Sequence, residues 1–407
     1  MRNIIELEQI SEELKKHELL QPPFIAEGKL ISDFSKRVEC YLELIDSIRN
    51  KYPDNEIIKQ VKIRTKSIIY LSDKIIETLK LFLIGNVKEA YKKFDLAITK
   101  SSMHTHLYKM TVPLTKLCNP HTPLFRVRKS ECILKQREEL FHIPFKNRHL
   151  VSAQRFSVSG LPCLYLGTSI FVCWQEMGKP DFDKLYISSF ISDKENSNIR
   201  ILDLGYNLTS ALRTKPGDLW YSFEQGSDDD YDLNNDNFMD QINDKISKLI
   251  AWPLVLACNY TKDNENASFN KEYIIPNLLM QWISSDRNKN ISGISYRSTK
   301  ILNQKDSDIG INVIIPPKIE NIVETNDTHC PVLKKIFRVT NPVSWTVFST
   351  LEATPYLYKN NFNFSTYNPA KGWIEDFDES LVEHYENTTF RKVELLIHQM
   401  MKYEYLK

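Results

Sequence analysis

Three residues that can carry chemistry follow one another at short intervals in the middle of the chain: Arg155, Tyr165 and Glu176. Tyr165 comes ten positions after the arginine, and Glu176 comes eleven positions after the tyrosine. A guanidinium group binds phosphate oxygens through paired hydrogen bonds, and a carboxylate stabilises positive charge that develops in a transition state. A phenol ring offers a face for stacking. This set is therefore suited to binding a phosphate-bearing ligand and stabilising a cationic transition state.

Flanking segments add further candidates. Arg126 lies in the run 124–128, whose composition is typical of a short strand. Arg128 would share its strand face, so the two arginines could exchange roles. Ser298 follows a second β-rich run. Taken alone, each of these residues has a plainer explanation, because a glutamate or arginine is more often solvated or ion-paired and a tyrosine is as often part of the core.

The elements that must position these residues change in type along the chain. Residues 1–118 place apolar side chains three and four positions apart, for example at Ile31, Phe34, Val38 and Tyr41. This spacing predicts an all-helical N-terminal domain.

From residue 119 onward, short β-rich runs are separated by amphipathic helices at irregular intervals. The order predicts an α+β fold with a central β-sheet core and flanking helices, because a doubly wound fold would show regular alternation. We expect a second domain over residues 119–325. We also expect a C-terminal extension over residues 326–407 that ends in a helix at 391–403.

Composition excludes several classes of protein. The 53 basic and 52 acidic residues leave a net charge of +1, which gives no whole-chain attraction for nucleic acid. No apolar run reaches the length of a membrane span, and the first residues show no signal-peptide pattern. Seven cysteines without a Cys-x-x-Cys pair favour reduced thiols in a cytoplasm. The acidic loop at 226–237 lacks the turn glycine and closing glutamate of a calcium loop, so we expect no metal site.

The stretch 152–176 resembles the core of the RES domain family. In that family an arginine with an aromatic and a small polar residue precedes a glycine, a tyrosine ends a strand, and a helix that begins with serine carries a glutamate. The corresponding residues here are Arg155, Phe156, Ser157, Gly160, Tyr165, Ser169 and Glu176. Phe156 stands where the family often has tryptophan, and Ser157 stands where asparagine is common.

Other segments extend the resemblance to about half of the chain. Residues 124–127 resemble the family's opening strand with its hallmark arginine, here Arg126. Residues 275–283 and 293–298 resemble the longer family members, whose final motif ends in the serine that corresponds to Ser298. The family's arginine, glutamate and serine thus map onto Arg155, Glu176 and Ser298.

The resemblance implies a fold like that of ADP-ribosyltransferases and an enzyme that cleaves the nicotinamide–ribose bond of NAD. Glu176 would lie near the ribose, and Arg155 and Arg126 would bind the pyrophosphate. Tyr165 would stack on the nicotinamide ring. Ser157 would help to bind NAD, and Ser298 would donate a hydrogen bond to ribose or phosphate. NAD would be the substrate, so no cofactor is expected, and phosphate would be a co-substrate if the enzyme is a phosphorylase and not a glycohydrolase.

The family includes NAD-degrading toxins of bacterial toxin–antitoxin systems, which implies a toxin or defence effector. Such a protein would be restrained by an antitoxin, or residues 1–118 would regulate it or mediate self-association. Two other functions stay open on the sequence. One is a mono-ADP-ribosyltransferase that modifies a macromolecule, and the other is a catalytically idle binding module.

Overall fold

The computed structural model describes residues 2–212, 236–265, 267–301, 308–318, 329–350, 373–376 and 381–406. Most of the acidic loop predicted at 226–237 lies outside these residues. In the described part of the chain, no helix is both long enough and apolar enough to cross a membrane.

The helices are α1 (Arg2–Lys15), α2 (Leu30–Lys51), α3 (Glu56–Ile63), α4 (Thr65–Leu83), α5 (Val87–Thr99), α6 (Ser101–Lys109), α7 (Leu114–Leu117), α8 (Ile170–Glu176), α9 (Leu208–Leu212), α10 (Asp236–Ile250), α11 (Trp252–Cys258), α12 (Ile274–Ser284), α13 (Pro331–Ile336), α14 (Trp345–Thr350) and α15 (Thr389–Met400).

The strands are β1 (Thr111–Pro113), β2 (Leu124–Lys129), β3 (Leu164–Gly167), β4 (Leu185–Ser192), β5 (Arg200–Leu204), β6 (Gly293–Arg297), β7 (Ile311–Ile315), β8 (Phe337–Val339), β9 (Val343–Ser344), β10 (Trp373–Asp376), β11 (Leu381–His384) and β12 (Glu404–Tyr405).

The first of two compact units is helical and combines residues 1–111 with residues 206–282. Every residue of α11 is buried, and this helix packs against α2 and α4. The hydroxyl of the buried Tyr41 on α2 donates to the carbonyl of Leu249 over 2.6 Å. Residues 206–282 lie within the range 119–325, over which the sequence predicts the second domain. They fold with the N-terminal helices because a helix that is apolar on all sides needs partners around its whole circumference.

The second unit comprises residues 112–205 and 283–407 and is built on a mixed sheet. In the described residues, ten strands pair in the order β1-β5-β6-β7-β3-β2-β4-β8-β12, with β9 beside β4. β5 and β6 run parallel, whereas β2, β3, β4, β6 and β7 pair with their other neighbours in antiparallel fashion. Together with the helical N-terminal region, this sheet confirms the predicted α+β class.

Each face of the sheet has its own apolar core. Leu124, Leu164 and Phe190 belong to a core on one face. On the other face, Phe125 and Val127 pack with side chains of α8 and α15, including Trp174 and Leu396. Successive strand residues point to opposite faces, so β2 contributes to both cores. The helix that ends at Glu176 is therefore held between the sheet and the C-terminal helix.

Candidate active site

The loop before β3 has a constrained backbone that carries Arg155. The next residue, Phe156, has a φ of 57°, in the left-handed region that a bulky residue rarely adopts. Its ring is fully buried and lies 4.9 Å from the ring of Tyr296 on β6, measured between centroids. Its carbonyl accepts a hydrogen bond of 3.3 Å from the hydroxyl of Tyr165. Backbone strain of this kind persists only where surrounding contacts hold it, and such sites are often functional.

Ser157 closes the same loop. Its Oγ accepts from the N–H of Gln154 over 2.9 Å and donates to the carbonyl of the same residue over 2.8 Å. The resemblance to the RES family implies that Ser157 helps to bind NAD. The two local hydrogen bonds give this serine a role in shaping the loop that presents Arg155.

Arg155 reaches a residue far away in sequence. Its side chain is buried, with 5% exposed, and Nη2 donates to Oγ1 of Thr299 over 3.1 Å. The preceding residue, Ser298, is also buried, and its Oγ accepts from the N–H of Lys300 over 3.2 Å. The structure thus brings the predicted Arg155 and Ser298 into one neighbourhood through Thr299, which the sequence analysis did not identify.

Glu176 is the last residue of α8. The helix begins at the predicted serine, because the Oγ of Ser169 accepts from the N–H of Val172 over 3.0 Å as an N-cap. At the other end, Oε1 of Glu176 accepts from Nδ2 of Asn312 over 2.8 Å. Among the described residues, no arginine or lysine pairs with this carboxylate.

Gly167 allows α8 to lie close to the sheet. A Cβ on this residue would come within 2.5 Å of Cγ1 of Val172 and 2.7 Å of Sγ of Cys173, both on α8. Gly167 is opposite Asn312 in the β3–β7 ladder, and Asn312 is opposite Tyr296 in the β6–β7 ladder. Cross-strand partners share a face, so Glu176, Asn312 and Tyr296 lie on the α8 face.

Arg126 lies on β2, next to the point where β2 and β3 stop pairing and the sheet splits. β2 pairs with β4 along its whole length, but its described pairing with β3 is the single pair Phe125–Gly167. Nη1 of Arg126 reaches into the split and donates to the carbonyl of Tyr165 over 2.9 Å. Alternation along β2 places Arg126 on the face opposite α8, so no described contact joins it to Glu176.

Arg126 pairs with no acidic side chain among the described residues. Burial lowers the pKa of Arg126 to about 10, and repulsion from Arg128 acts in the same direction. Burial also lowers the pKa of Arg128, which Glu139 partly opposes. Ser188 lies directly across from Arg126 on β4, and in the described chain its buried Oγ and the Nε of Arg126 have no hydrogen-bond partner. Buried donors without partners suit a site that a ligand anion completes.

The site residues that sequence reasoning missed are Thr299, Asn312 and Ser188. Asn312 is the polar residue in the otherwise apolar strand β7, which is a signal that the sequence does contain. Among the described residues, no group of three or more His, Cys, Asp or Glu side chains is arranged to hold a metal ion.

One curated protein similar to this chain is "Putative toxin YopC" of Bacillus subtilis (strain 168), which is 29% identical over 317 residues. The match covers 77% of this chain and 66% of that protein, so the chain spans just under two thirds of the relative's length. No protein-family model matches the chain. No solved structure matches it either. The matched region is longer than the half of the chain that resembles the RES family.

Proposed function

We propose that the chain is an NAD-consuming enzyme that cleaves the bond between nicotinamide and ribose and acts as a toxin or defence effector. One observation carries the proposal. A carboxylate held by a neutral amide, Glu176 on Asn312, lies on one face of the sheet, and Arg126, which pairs with no acidic side chain among the described residues, reaches into the split between β2 and β3 from the other face. A negative charge left unpaired on one side and a positive charge left unpaired on the other match a ligand that has a cationic reacting centre and phosphates.

The reaction depends on a negatively charged carboxylate and needs little general-acid catalysis. Nicotinamide is a good leaving group, and its departure leaves an oxocarbenium-like cation on the ribose. The Glu176 carboxylate would stabilise that charge, and Asn312 would hold it in place. Such a preorganised electrostatic contact contributes roughly 3–4 kcal/mol at a transition state.

We propose that the pyrophosphate lies in the split between β2 and β3. Arg126 would bind its oxygens from one side, and Arg155 would bind them from the loop before β3. Tyr165 borders the split through its carbonyl and lies next to the Arg155 loop through its hydroxyl. Its ring would face the nicotinamide. The Ser298 hydroxyl accepts one hydrogen bond from Lys300 and keeps its own hydrogen to donate to a ribose or phosphate oxygen.

Two acceptors fit the proposed reaction. If water attacks the ribosyl carbon, the products are ADP-ribose, nicotinamide and a proton. If inorganic phosphate attacks, its oxygen forms the new bond to the ribosyl carbon as the bond to nicotinamide breaks, and the products are a phosphorylated ADP-ribose, nicotinamide and a proton. In either case we propose that the protein acts in the cytoplasm, where NAD is available, and that an antitoxin or self-association through the helical unit restrains it.

The test is incubation of the purified full chain with NAD, with and without phosphate, followed by identification of the products. Nicotinamide release without any macromolecule present would support glycohydrolase or phosphorylase activity, and the phosphate dependence of the product would separate the two. Transfer of ADP-ribose only to a protein or nucleic acid would instead show a mono-ADP-ribosyltransferase. No loss of NAD under any of these conditions would contradict the proposal.

A further inference from the structure

The C-terminal helix α15 buries a carboxylate against the start of α8. Glu394 has 2% of its surface exposed, and its Oε1 accepts from the N–H of Ile170 over 2.7 Å. The same oxygen accepts from the hydroxyl of Tyr385, which is fully buried. Ile170 is the first residue of α8, and Glu176 is the last. Glu394 therefore fixes the end of the helix opposite the proposed reacting carboxylate.

Aromatic packing joins the same two helices. The ring of Phe390 on α15 lies 5.4 Å from that of Phe171 and 5.7 Å from that of Trp174, measured between centroids. Val393 and Leu396 of α15 share a core with these side chains. α8 is thus covered by the C-terminal extension, which lies outside the part of the sequence that resembles the RES family.

α8 needs such support because it has only seven residues. A helix this short is not stable by itself, and the N–H groups of its first turn have no partners within the helix. Ser169 satisfies the N–H of Val172, and Glu394 satisfies the N–H of Ile170. Loss of the hydrogen bond from Ile170 to Glu394 would release the first turn of α8 and change the position of Glu176 at its last residue.

We propose that Glu394 is a positioning residue, which holds α8 so that Glu176 keeps its place beside Asn312 and makes the C-terminal extension part of the active enzyme. The effect on turnover rests on the proposed function. The anchoring of α8 does not, and it can be measured without substrate.

The charge on Glu394 is set by its surroundings. Burial raises its pKa to about 7, while the hydrogen bonds from Tyr385 and the Ile170 amide and the charge of Arg391 oppose this rise. Glu386 raises the pKa further, and the Cys173 thiol on α8 also interacts with this carboxylate. The carboxyl group therefore changes its charge near neutral pH, which gives the positioning role a distinct pH signature.

The experiment compares Glu394→Leu and Glu394→Gln with the wild-type full chain. Lys392→Ala, at an exposed position on the same helix, is the matched control. Amide hydrogen exchange is measured across residues 168–178, and kcat and KM for NAD are measured as functions of pH. Leucine cannot accept a hydrogen bond, whereas the glutamine carbonyl can.

We expect Glu394→Leu to speed exchange in α8 and lower kcat by roughly 5- to 30-fold, which corresponds to the loss of a helix cap. KM should change little, since Glu176 acts at the transition state. Glu394→Gln should keep most of the protection and activity but lose any step in the kcat profile near pH 7, and Lys392→Ala should match the wild type.

Exchange in α8 and kcat both equal to wild type in Glu394→Leu would overturn the proposal. So would equal losses in the leucine and glutamine variants, because the acceptor oxygen would then be irrelevant. If the wild type consumes no NAD, the proposed function fails, and the exchange data still decide whether Glu394 anchors α8.

Discussion

Asn312 donates a hydrogen bond of 2.8 Å to Glu176, although 136 positions separate the two residues in the sequence. The amide holds the carboxylate without neutralising it, whereas an arginine in the same place would cancel part of its field. In the proposed function, the negative charge of Glu176 would then act on the bound ligand.

Substitutions of Asn312 test this relationship. Asn312→Ala removes the donor and should lower kcat for NAD by about tenfold, the effect of misplacing one charged group by a fraction of an ångström. Asn312→Asp has nearly the same shape but places a second carboxylate beside Glu176, so it should lose more activity than the alanine variant. Steady-state kinetics decides the order, and activity of Asn312→Asp equal to wild type would show that the contact is incidental.

Arg126 offers a test that separates ligand binding from structure. Arg126→Met removes a buried charge that Arg128 repels, so the free energy of unfolding should stay within about 1 kcal/mol of wild type or rise. Binding of NAD should weaken strongly, because a phosphate contact is lost. Calorimetric titration and thermal unfolding measure the two effects.

Arg338→Met is the matched control for that substitution. Nε of Arg338 donates to Oδ2 of Asp193 over 2.9 Å, away from the proposed site. Its loss should reduce stability by up to about 1 kcal/mol and leave NAD binding unchanged. If Arg126→Met instead reduces stability and leaves NAD binding unchanged, while Arg338→Met weakens NAD binding, Arg126 is a structural residue.

Gly167→Ala should displace α8. The added methyl group would overlap Val172 and Cys173, and overpacking of this kind typically costs about 1–3 kcal/mol. Both kcat for NAD and the free energy of unfolding should fall. Val172→Ala in the same chain would remove the closer of the two overlaps, so the double variant should be less impaired than the sum of the single variants predicts. If the effects of the two substitutions simply add, the contact between Gly167 and Val172 does not determine the position of α8.

Stability should depend on pH through Glu394. The pKa of this group rises from the usual 4.5 to about 7 on folding, so the folded state binds the proton more tightly than the unfolded state. Ionisation of Glu394 therefore lowers the free energy of unfolding. This loss is absent below pH 4.5, grows as pH rises, and is complete above about pH 7, where it reaches about 3 kcal/mol. Glu394→Gln should remove this loss.

The measurement is the difference in unfolding free energy between Glu394→Gln and wild type from pH 4.5 to pH 8. Burial lowers the pKa of His142 to about 3 and of His329 to about 4. These two histidines change stability with pH in the opposite direction to Glu394. Their contribution to the free energy of unfolding is complete above pH 6.5 and is lost on acidification. It is common to both proteins and cancels in the difference. A difference that stays constant with pH would show that Glu394 does not titrate in this range.

Much of the sheet could be predicted from local sequence. The β-rich runs correspond to β2 through β7, because strands buried on both faces consist of nearly continuous apolar residues. The resemblance to the RES family implied a helix that begins at Ser169 and carries Glu176, and the structure has that helix. In contrast, the contacts of Arg155 with Thr299 and of Glu176 with Asn312 join residues far apart in sequence, and no local pattern specifies such pairs.

The assignment of residues 206–282 to the helical unit was also beyond local patterns. α11 is apolar on every side, so its sequence predicts burial but not which core accepts it. This result changes how the helical unit should be tested. Deleting residues 1–118 alone would expose α11, so a loss of activity in that truncation would not distinguish regulation from misfolding.

The role of Glu176 in NAD cleavage is the central claim, and nicotinamide release by Glu176→Gln tests it most directly. Glutamine keeps the shape and can still accept the hydrogen bond from Asn312, but it removes the negative charge. We predict that the purified wild-type chain releases nicotinamide from NAD and that the variant, with an unchanged melting temperature, is slower by about 10²–10³. Release by the variant at the wild-type rate, or no release by the wild type, would contradict the account.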